Sequence, residues 1–286
     1  MKKIGFIGAQ SLHSVYFGEV LSSGVPGLAS TSGKIWAPDT PDLVPLRLVQ
    51  GEISESCATL DELLEKSDAI MILLRDGNTH LSLAEQCLQS GKPLFVDKPF
   101  ACAPEDARAM LDYAQKYKSP LMGGSTLCLL PETKLVANLA SQAEEITISF
   151  AANWSSPFGG WYYYGSHLTD LCIAVGGADI KTVAATRLDE RVKALVSYKN
   201  LKIHLCSEPD IKSLGFSIAF KSGEKRDIVI PDYDRCYRLG MERFSHMLKS
   251  GKSVHPERLY HSTVLLNQIV KTLSDGNANP SGFSVY

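Results

Sequence analysis

Gly91-Lys92-Pro93-Leu94-Phe95-Val96-Asp97-Lys98-Pro99 reads as a helix stop, a short apolar strand, and a turn carrying an acid and a base. Leu94 to Asp97 is too short for a helix, and Gly91 and Pro93 punctuate its start. Pro99 biases Lys98 away from the helical region, so the strand ends on an extended residue. Working outward, the same kind of run recurs at Lys3 to Gly8, Lys34 to Ala37, Ala69 to Leu74 and Leu121 to Gly123. Helix signals separate these runs. Thr59-Leu60-Asp61-Glu62 is a capping box that opens Asp61 to Lys66, and Thr79 stands where it would cap a segment stopping at Gly91. Pro104 opens a further helix, with Glu105 and Asp106 at its positive dipole end. Strands alternating with helices predict an α/β fold, a Rossmann-type doubly wound parallel sheet with right-handed crossovers. Such a sheet takes ligands just beyond the carboxyl ends of its strands.

After Pro131 to Ala143, which reads as a connecting helix, the pattern changes to longer β-branched runs. These are Ile146 to Trp154, Thr182 to Arg187, Ala194 to Tyr198, Lys202 to Cys206, Phe216 to Phe220 and Asp227 to Ile230. They predict a mostly antiparallel open sheet, closed by helices over Tyr237 to Lys249 and Glu257 to Ser274. The expected division is residues 1–122 and 123–286, an α/β domain followed by an α+β domain.

With 286 residues, 44% hydrophobic and 21% charged, the chain has enough apolar material for two globular cores. Lys and Arg total 29 against 31 Asp and Glu, a net charge of -2, and the bases are scattered, which argues against nucleic acid as a partner. No apolar run approaches the roughly 20 residues that span a bilayer, so no membrane partner is expected. Met1 to Gly8 reads as a first strand and not as a signal peptide. The seven cysteines are widely spaced and contain no C-x-x-C pair, which predicts reduced thiols in a cytoplasmic protein and no metal site.

Candidate chemistry concentrates after the strands. Gly8-Ala9-Gln10-Ser11-Leu12-His13 occupies the place of a G-x-G-x-x-G phosphate loop but keeps only its first glycine. The helix N-terminus still offers free N–H groups to an anion, and Gln10, Ser11 and His13 could add side-chain donors. At the end of strand two, the position that would hold an adenosine ribose through a carboxylate is Ala37. Asp39 follows two residues late, placed equally to meet a ribose or to start the Pro41 turn. Lys98, projecting from a strand end, suits a proton carrier once partly desolvated, since burial lowers a lysine's pKa. His167 reads as opening a helix, with Asp170 three residues on and able to orient its imidazole. Trp161-Tyr162-Tyr163-Tyr164 reads as an aromatic rim, with Tyr163 a candidate for stacking on a ligand.

Asp68 to Leu74, His80, and Gly91 to Pro99 together resemble the glucose-fructose oxidoreductase and inositol dehydrogenase family, known as Gfo/Idh/MocA. Members carry a "D-a-v-v-v" strand, a histidine opening the next helix, and "G-K-x-V-x-x-E-K-P", which Asp97-Lys98-Pro99 matches with one acid exchanged. Gly165-Ser166-His167-Leu168-Thr169-Asp170 resembles the family's "D-x-G-x-H-x-x-D", and Phe244 with Lys249-Ser250-Gly251-Lys252 resembles its closing helix. The aspartate four residues before the histidine is replaced here by Tyr163. The resemblance implies an NAD- or NADP-dependent oxidoreductase acting on a sugar, polyol or related alcohol, assembled as a homodimer or homotetramer through its open sheet. It implies catalytic roles for Lys98 and His167, cofactor contacts from Gly8, Gln10, Ser11, His80 and Asp97, and substrate contacts from Asp170 and Tyr163. The departures at Gln10, His13, Ala37 and Tyr163 leave an alternative open, a redox-inactive relative that binds a small ligand as a sensor or accessory protein.

Overall fold

The computed structural model describes residues 1–30, 33–275 and 281–282. The chain divides into two compact units. The first comprises Met1–Ala101, Glu105–Gly124 and Cys236–Pro256, and the second Cys102–Pro104, Ser125–Arg235 and the chain from Glu257 onward.

The first unit alternates strand and helix: β1 Ile4–Ile7, α1 His13–Ser22, β2 Lys34–Trp36, α2 Val44–Gln50, β3 Glu55–Ser56, α3 Leu60–Lys66, β4 Ala69–Ile72, α4 His80–Gln89, β5 Leu94–Val96, α5 Pro104–Lys116 and β6 Leu121–Gly123. The strands form one parallel six-stranded sheet in the order β3-β2-β1-β4-β5-β6. Every residue of β1, β4, β5 and β6 is buried, the continuous apolar pattern of a sheet covered on both faces. The expected strands are present, and the two-residue edge strand β3 is additional because so short a segment carries no periodicity to read. Thr59 caps α3 as its sequence implies, its hydroxyl accepting the Glu62 N–H, while the Glu62 carboxylate accepts the Ala58 N–H. Thr79 does not cap α4. Its hydroxyl donates to the Asp76 carbonyl at 2.7 Å, and Asp76 takes the capping part by accepting the Asn78 N–H at 3.0 Å, one 3-10 turn earlier.

In the second unit, α6 Pro131–Leu139 leads through a 3-10 turn into β7 Ala143–Phe150, and α7 Trp161–Gly176 precedes β8 Thr182–Leu188, β9 Arg191–Ser197, β10 Lys202–Ser207, β11 Leu214–Phe220 and β12 Lys225–Ile230. Helix α8 Arg235–Ser250 follows, then α9 Pro256–Ser274 and β13 Ser281–Gly282. The seven-stranded sheet runs β12-β11-β7-β10-β9-β8-β13 and is antiparallel except where β7 and β10 run parallel. Buried and partly exposed residues alternate along β7, β9 and β10, as one covered face requires, and α7 packs on β7 and β10.

Helix α8 departs from the expectation of a single break at 122/123. Its residues from Cys236 belong to the first unit, where Met241, Phe244 and Met247, with Val254 beyond the helix, join Ile4, Phe6, Phe17, Met71 and Phe95 in one buried cluster. Among the described residues no helix is long and apolar enough to cross a membrane, and no group of His, Cys, Asp or Glu side chains is arranged to hold a metal ion.

Candidate active site

The turn after β1 begins at Gly8, whose φ of +111° strains any residue with a Cβ. A Cβ there would also stand 3.0–3.2 Å from Leu74 and the Leu73 carbonyl carbon. The Gly8 N–H donates to the Trp36 carbonyl at 2.9 Å, tying the turn to β2. The next two amides, Ala9 and Gln10, donate to the Asp39 carboxylate at 3.1 and 3.0 Å. Arg47, buried on α2, fixes the same turn from below by donating Nε–H to the Ala9 carbonyl at 2.7 Å. Ser11 is only 1% exposed, and its hydroxyl accepts the His13 N–H. Of the residues expected at a phosphate, Gly8 shapes the turn and Gln10 is exposed, whereas Ser11 turns inward as a local cap. Asp39, which the sequence leaves between two roles, joins the turn. Its carboxylate stands in for an anion: two backbone amides already bind negatively charged oxygen here, so the turn fits a cofactor phosphate.

Beyond β5, the Asp97 N–H donates to the Ile72 carbonyl at 2.9 Å, and its carboxylate lies 2.5 Å from His13 Nδ1. The residue standing where a third glycine would allow helix–strand packing is thus an ion-pair partner of the acid. Its ring is held edge-on by Phe17 and Tyr237, with ring centres 6.3 and 5.3 Å away. Burial pushes the Asp97 carboxyl upward, but the charge and hydrogen bond of His13, with the charge of Lys98, outweigh it and hold the pKa below the usual value. The acid expected to touch cofactor is therefore engaged with a neighbour. Lys98 is 1% exposed, and its peptide to Pro99 is cis. Burial pulls its ammonium down to about 7; the Asp97 carboxylate opposes the shift and Arg75 adds to it. A lysine so placed exchanges its proton near neutrality, the behaviour required of a general base.

His80 is fully buried, with Nδ1 and Nε2 each 3.2 Å from a carbonyl oxygen, those of Phe100 and Leu74. Burial holds its pKa below the ordinary value. The expected cofactor contact is thus a clamp between the segment after β4 and the one after Pro99.

In the second unit, His167 does not open a helix. It sits inside α7, which starts at Trp161 directly after Gly160 (φ +65°), so the aromatic run forms the first turns. Trp161 and Tyr163 are 2% and 3% exposed and Tyr162 and Tyr164 half-buried, which replaces the expected rim with packing. Tyr163 meets Phe158 and Tyr164 at ring distances of 5.5 and 4.7 Å. His167 is half-buried, its ring 4.9 Å from that of Phe150 and its Nδ1 2.7 Å from the Ser125 hydroxyl. Asp170, 3% exposed, accepts the Ser125 N–H at 2.6 Å and the Arg258 guanidinium at 3.2 Å. It therefore places Ser125, and Ser125 meets the imidazole, where the spacing suggested a direct acid–imidazole pairing.

Ser125, Arg258, Arg47 and the pairing role of His13 escape the sequence reading. Ser125 alone carries a usable signal, since it lies two residues past a strand end, where α/β sheets gather their functional groups.

Residues 2–125 match the family described as "Oxidoreductase family, NAD-binding Rossmann fold". No curated protein matches the sequence. Among solved structures, scyllo-inositol dehydrogenase from Lactobacillus casei with bound NAD(H) and scyllo-inositol is 13% identical, with a TM-score of 0.82 and 100% of each chain covered. An oxidoreductase from Agrobacterium radiobacter in complex with NAD+, L-tartaric acid and magnesium is 16% identical, with a TM-score of 0.77 over 99% of this chain and 98% of that one. A Clostridium difficile dehydrogenase is 16% identical, with a TM-score of 0.77 over 95% and 99%. At these identities the likeness is one of fold.

Proposed function

We propose that this chain, whose residues 2–125 belong to the Gfo/Idh/MocA oxidoreductase family with its NAD-binding Rossmann fold, is an NAD(P)-dependent dehydrogenase or reductase of a sugar, polyol or related alcohol. The observation that carries this reading is Lys98: a lysine buried at the carboxyl end of a Rossmann strand with a pKa of about 7. A bound nicotinamide would supply the hydride acceptor or donor. Lys98 Nζ takes the proton that leaves a carbinol hydroxyl when its carbon is oxidised, and returns it to the carbonyl oxygen in the reverse direction. Asp97, kept ionised by His13, holds the electrostatic balance beside that amine. The Gly8 turn, with the amides of Ala9 and Gln10, receives phosphate oxygen once Asp39 yields them. Ser11 and His80 support these elements from within.

Within the second unit, His167, Asp170 and Tyr163 share helix α7 and are the residues we assign to a small-molecule ligand. The partly exposed face of the seven-stranded sheet is the surface we assign to a homodimer or homotetramer. The test is NAD(P)+ reduction, followed by absorbance, across a panel of inositols, aldoses and sugar acids. A substrate turned over by the native protein and left unchanged by Lys98→Met supports the proposal; equal turnover by both proteins contradicts it.

One observation favours a second reading, a ligand-binding relative without redox chemistry. The Ala9 and Gln10 amides are engaged by the chain's own Asp39, and in that reading they stay so. The two readings part on whether dinucleotide binds at all.

A further inference from the structure

We infer that His13 is a binding residue for a pyrophosphate group: its imidazolium, paired through Nδ1 with Asp97, sets a positive charge across the crevice between β1 and β4. The inference deepens the proposed function and takes from it only the identity of the anion, the pyrophosphate of a dinucleotide. The strand order β3-β2-β1-β4-β5-β6 reverses between β1 and β4, the place at which doubly wound sheets bind dinucleotides. His13 opens α1 after β1, and Asp97 follows β5, so their 2.5 Å contact spans the end of β4 beside that reversal. Both residues belong to the first unit.

Burial raises the Asp97 pKa, but the charge and hydrogen bond of His13 bring it below the ordinary value, as an ion pair does. A carboxylate can only accept, so Nδ1 donates. Tyr16, Phe17 and Tyr237 surround the imidazole, with ring centres 6.4, 6.3 and 5.3 Å away. The side chain is 14% exposed, and among the described residues no hydrogen bond reaches Nε2. An imidazolium carries a proton on both nitrogens, so Nε2–H is the donor that meets an incoming oxyanion.

The turn after β1 needs such a charge. It keeps only its first glycine, and Gln10 stands where the second would let backbone approach a pyrophosphate. Two carboxylates also stand at this edge. Asp39 is exposed, so water weakens its repulsion of an anion, whereas Asp97 is 3% exposed and its charge acts at fuller strength. His13 cancels that second charge and adds a charge-assisted donor. The residue that displaces the third glycine thus restores, by charge, an affinity lost with the second.

The test is calorimetric titration of the full chain with inorganic pyrophosphate, and in parallel with NADH, for wild type, His13→Gln, Asp97→Asn and the double variant. If the charge of the pair sets the affinity, His13→Gln weakens pyrophosphate binding about 10- to 100-fold, the worth of one charge-assisted hydrogen bond. Asp97→Asn, which removes the anion and keeps the histidine, binds at least as tightly as wild type, and the double variant falls between the two single variants. A pair with a merely structural role makes both single variants equally weak. That result overturns the inference, as does an unchanged affinity in His13→Gln or a wild type that binds no pyrophosphate. Pyrophosphate following the expected order while NADH binds none of the four proteins supports the inference and refutes the proposed function. NADH binding without that order refutes the inference alone.

Discussion

Lys98 in the first unit and Asp170 in the second are both buried, and the two are treated in opposite ways. Lys98 in the first is 1% exposed, and burial, only partly offset by the Asp97 carboxylate, pulls its pKa down to about 7. Asp170 in the second is 3% exposed but accepts from Arg258 and from the Ser125 amide, so its charge is fixed. A buried ion whose desolvation outweighs its compensation titrates closer to neutrality, and one held by a cation and hydrogen bonds becomes a structural anchor. On the proposed function, the contrast separates a residue suited to exchange a proton from residues that hold Ser125 and the His167 ring in place.

The contrast breaks most sharply at Lys98. Lys98→Met is expected to lower turnover by about 100- to 10,000-fold, the span of general acid–base contributions, while the dissociation constant for NADH changes little. A loss confined to cofactor affinity would move Lys98 from chemistry to binding. Next in size is Arg258→Ala, which leaves the Asp170 carboxylate buried without its cation and should cost about 3–5 kcal/mol of stability in urea unfolding. A change under about 1 kcal/mol would show that Asp170 is not anchored as described.

A smaller effect of opposite sign is expected when the buried Lys98 charge is removed. The folded pKa of Lys98, about 7, lies below its ordinary 10.5, so between those values the unfolded chain binds more protons than the folded one. Stability from this group therefore rises as pH increases from 7 to 10.5, and below 7 the full penalty is present. Lys98→Met should accordingly be more stable than wild type at pH 6–7, by an amount on the order of a few kcal/mol that shrinks by pH 10. Parallel stability curves for the two proteins would contradict the assignment. The smallest change is expected from Asp39→Ala, which removes the acceptor of two turn amides and should cost about 1 kcal/mol, seen as a fall of a few degrees in Tm.

The same contrast marks what the sequence makes legible. Strand positions, helix α5, the capping box at Thr59 and the placement of Lys98 at a strand end follow from local patterns of a few residues. The partners that decide how each group behaves do not. His13 meets Asp97 across 84 positions, Asp170 meets Arg258 across 88, and Ser125 meets His167 across 42, and periodicity is silent on such pairings. The start of α7 is hidden for a local reason: Gly159 and Gly160 read as a loop, no side chain caps the helix, and four aromatic residues in a row resemble a surface cluster more than a first turn. Helix α8 announces an amphipathic face, but nothing in its pattern says that this face returns to the first unit's core.

The central claim, that the Gly8 turn and the Lys98 strand end serve a nicotinamide cofactor, is tested most directly by fluorescence titration of the purified protein with NADH and NADPH. The account predicts saturable binding of at least one of them, retained in Lys98→Met and weakened by Gly8→Val, whose side chain cannot adopt the turn. Absence of binding to both at millimolar concentration would contradict it and leave the Asp39-capped turn as the resting state of a protein with no redox role.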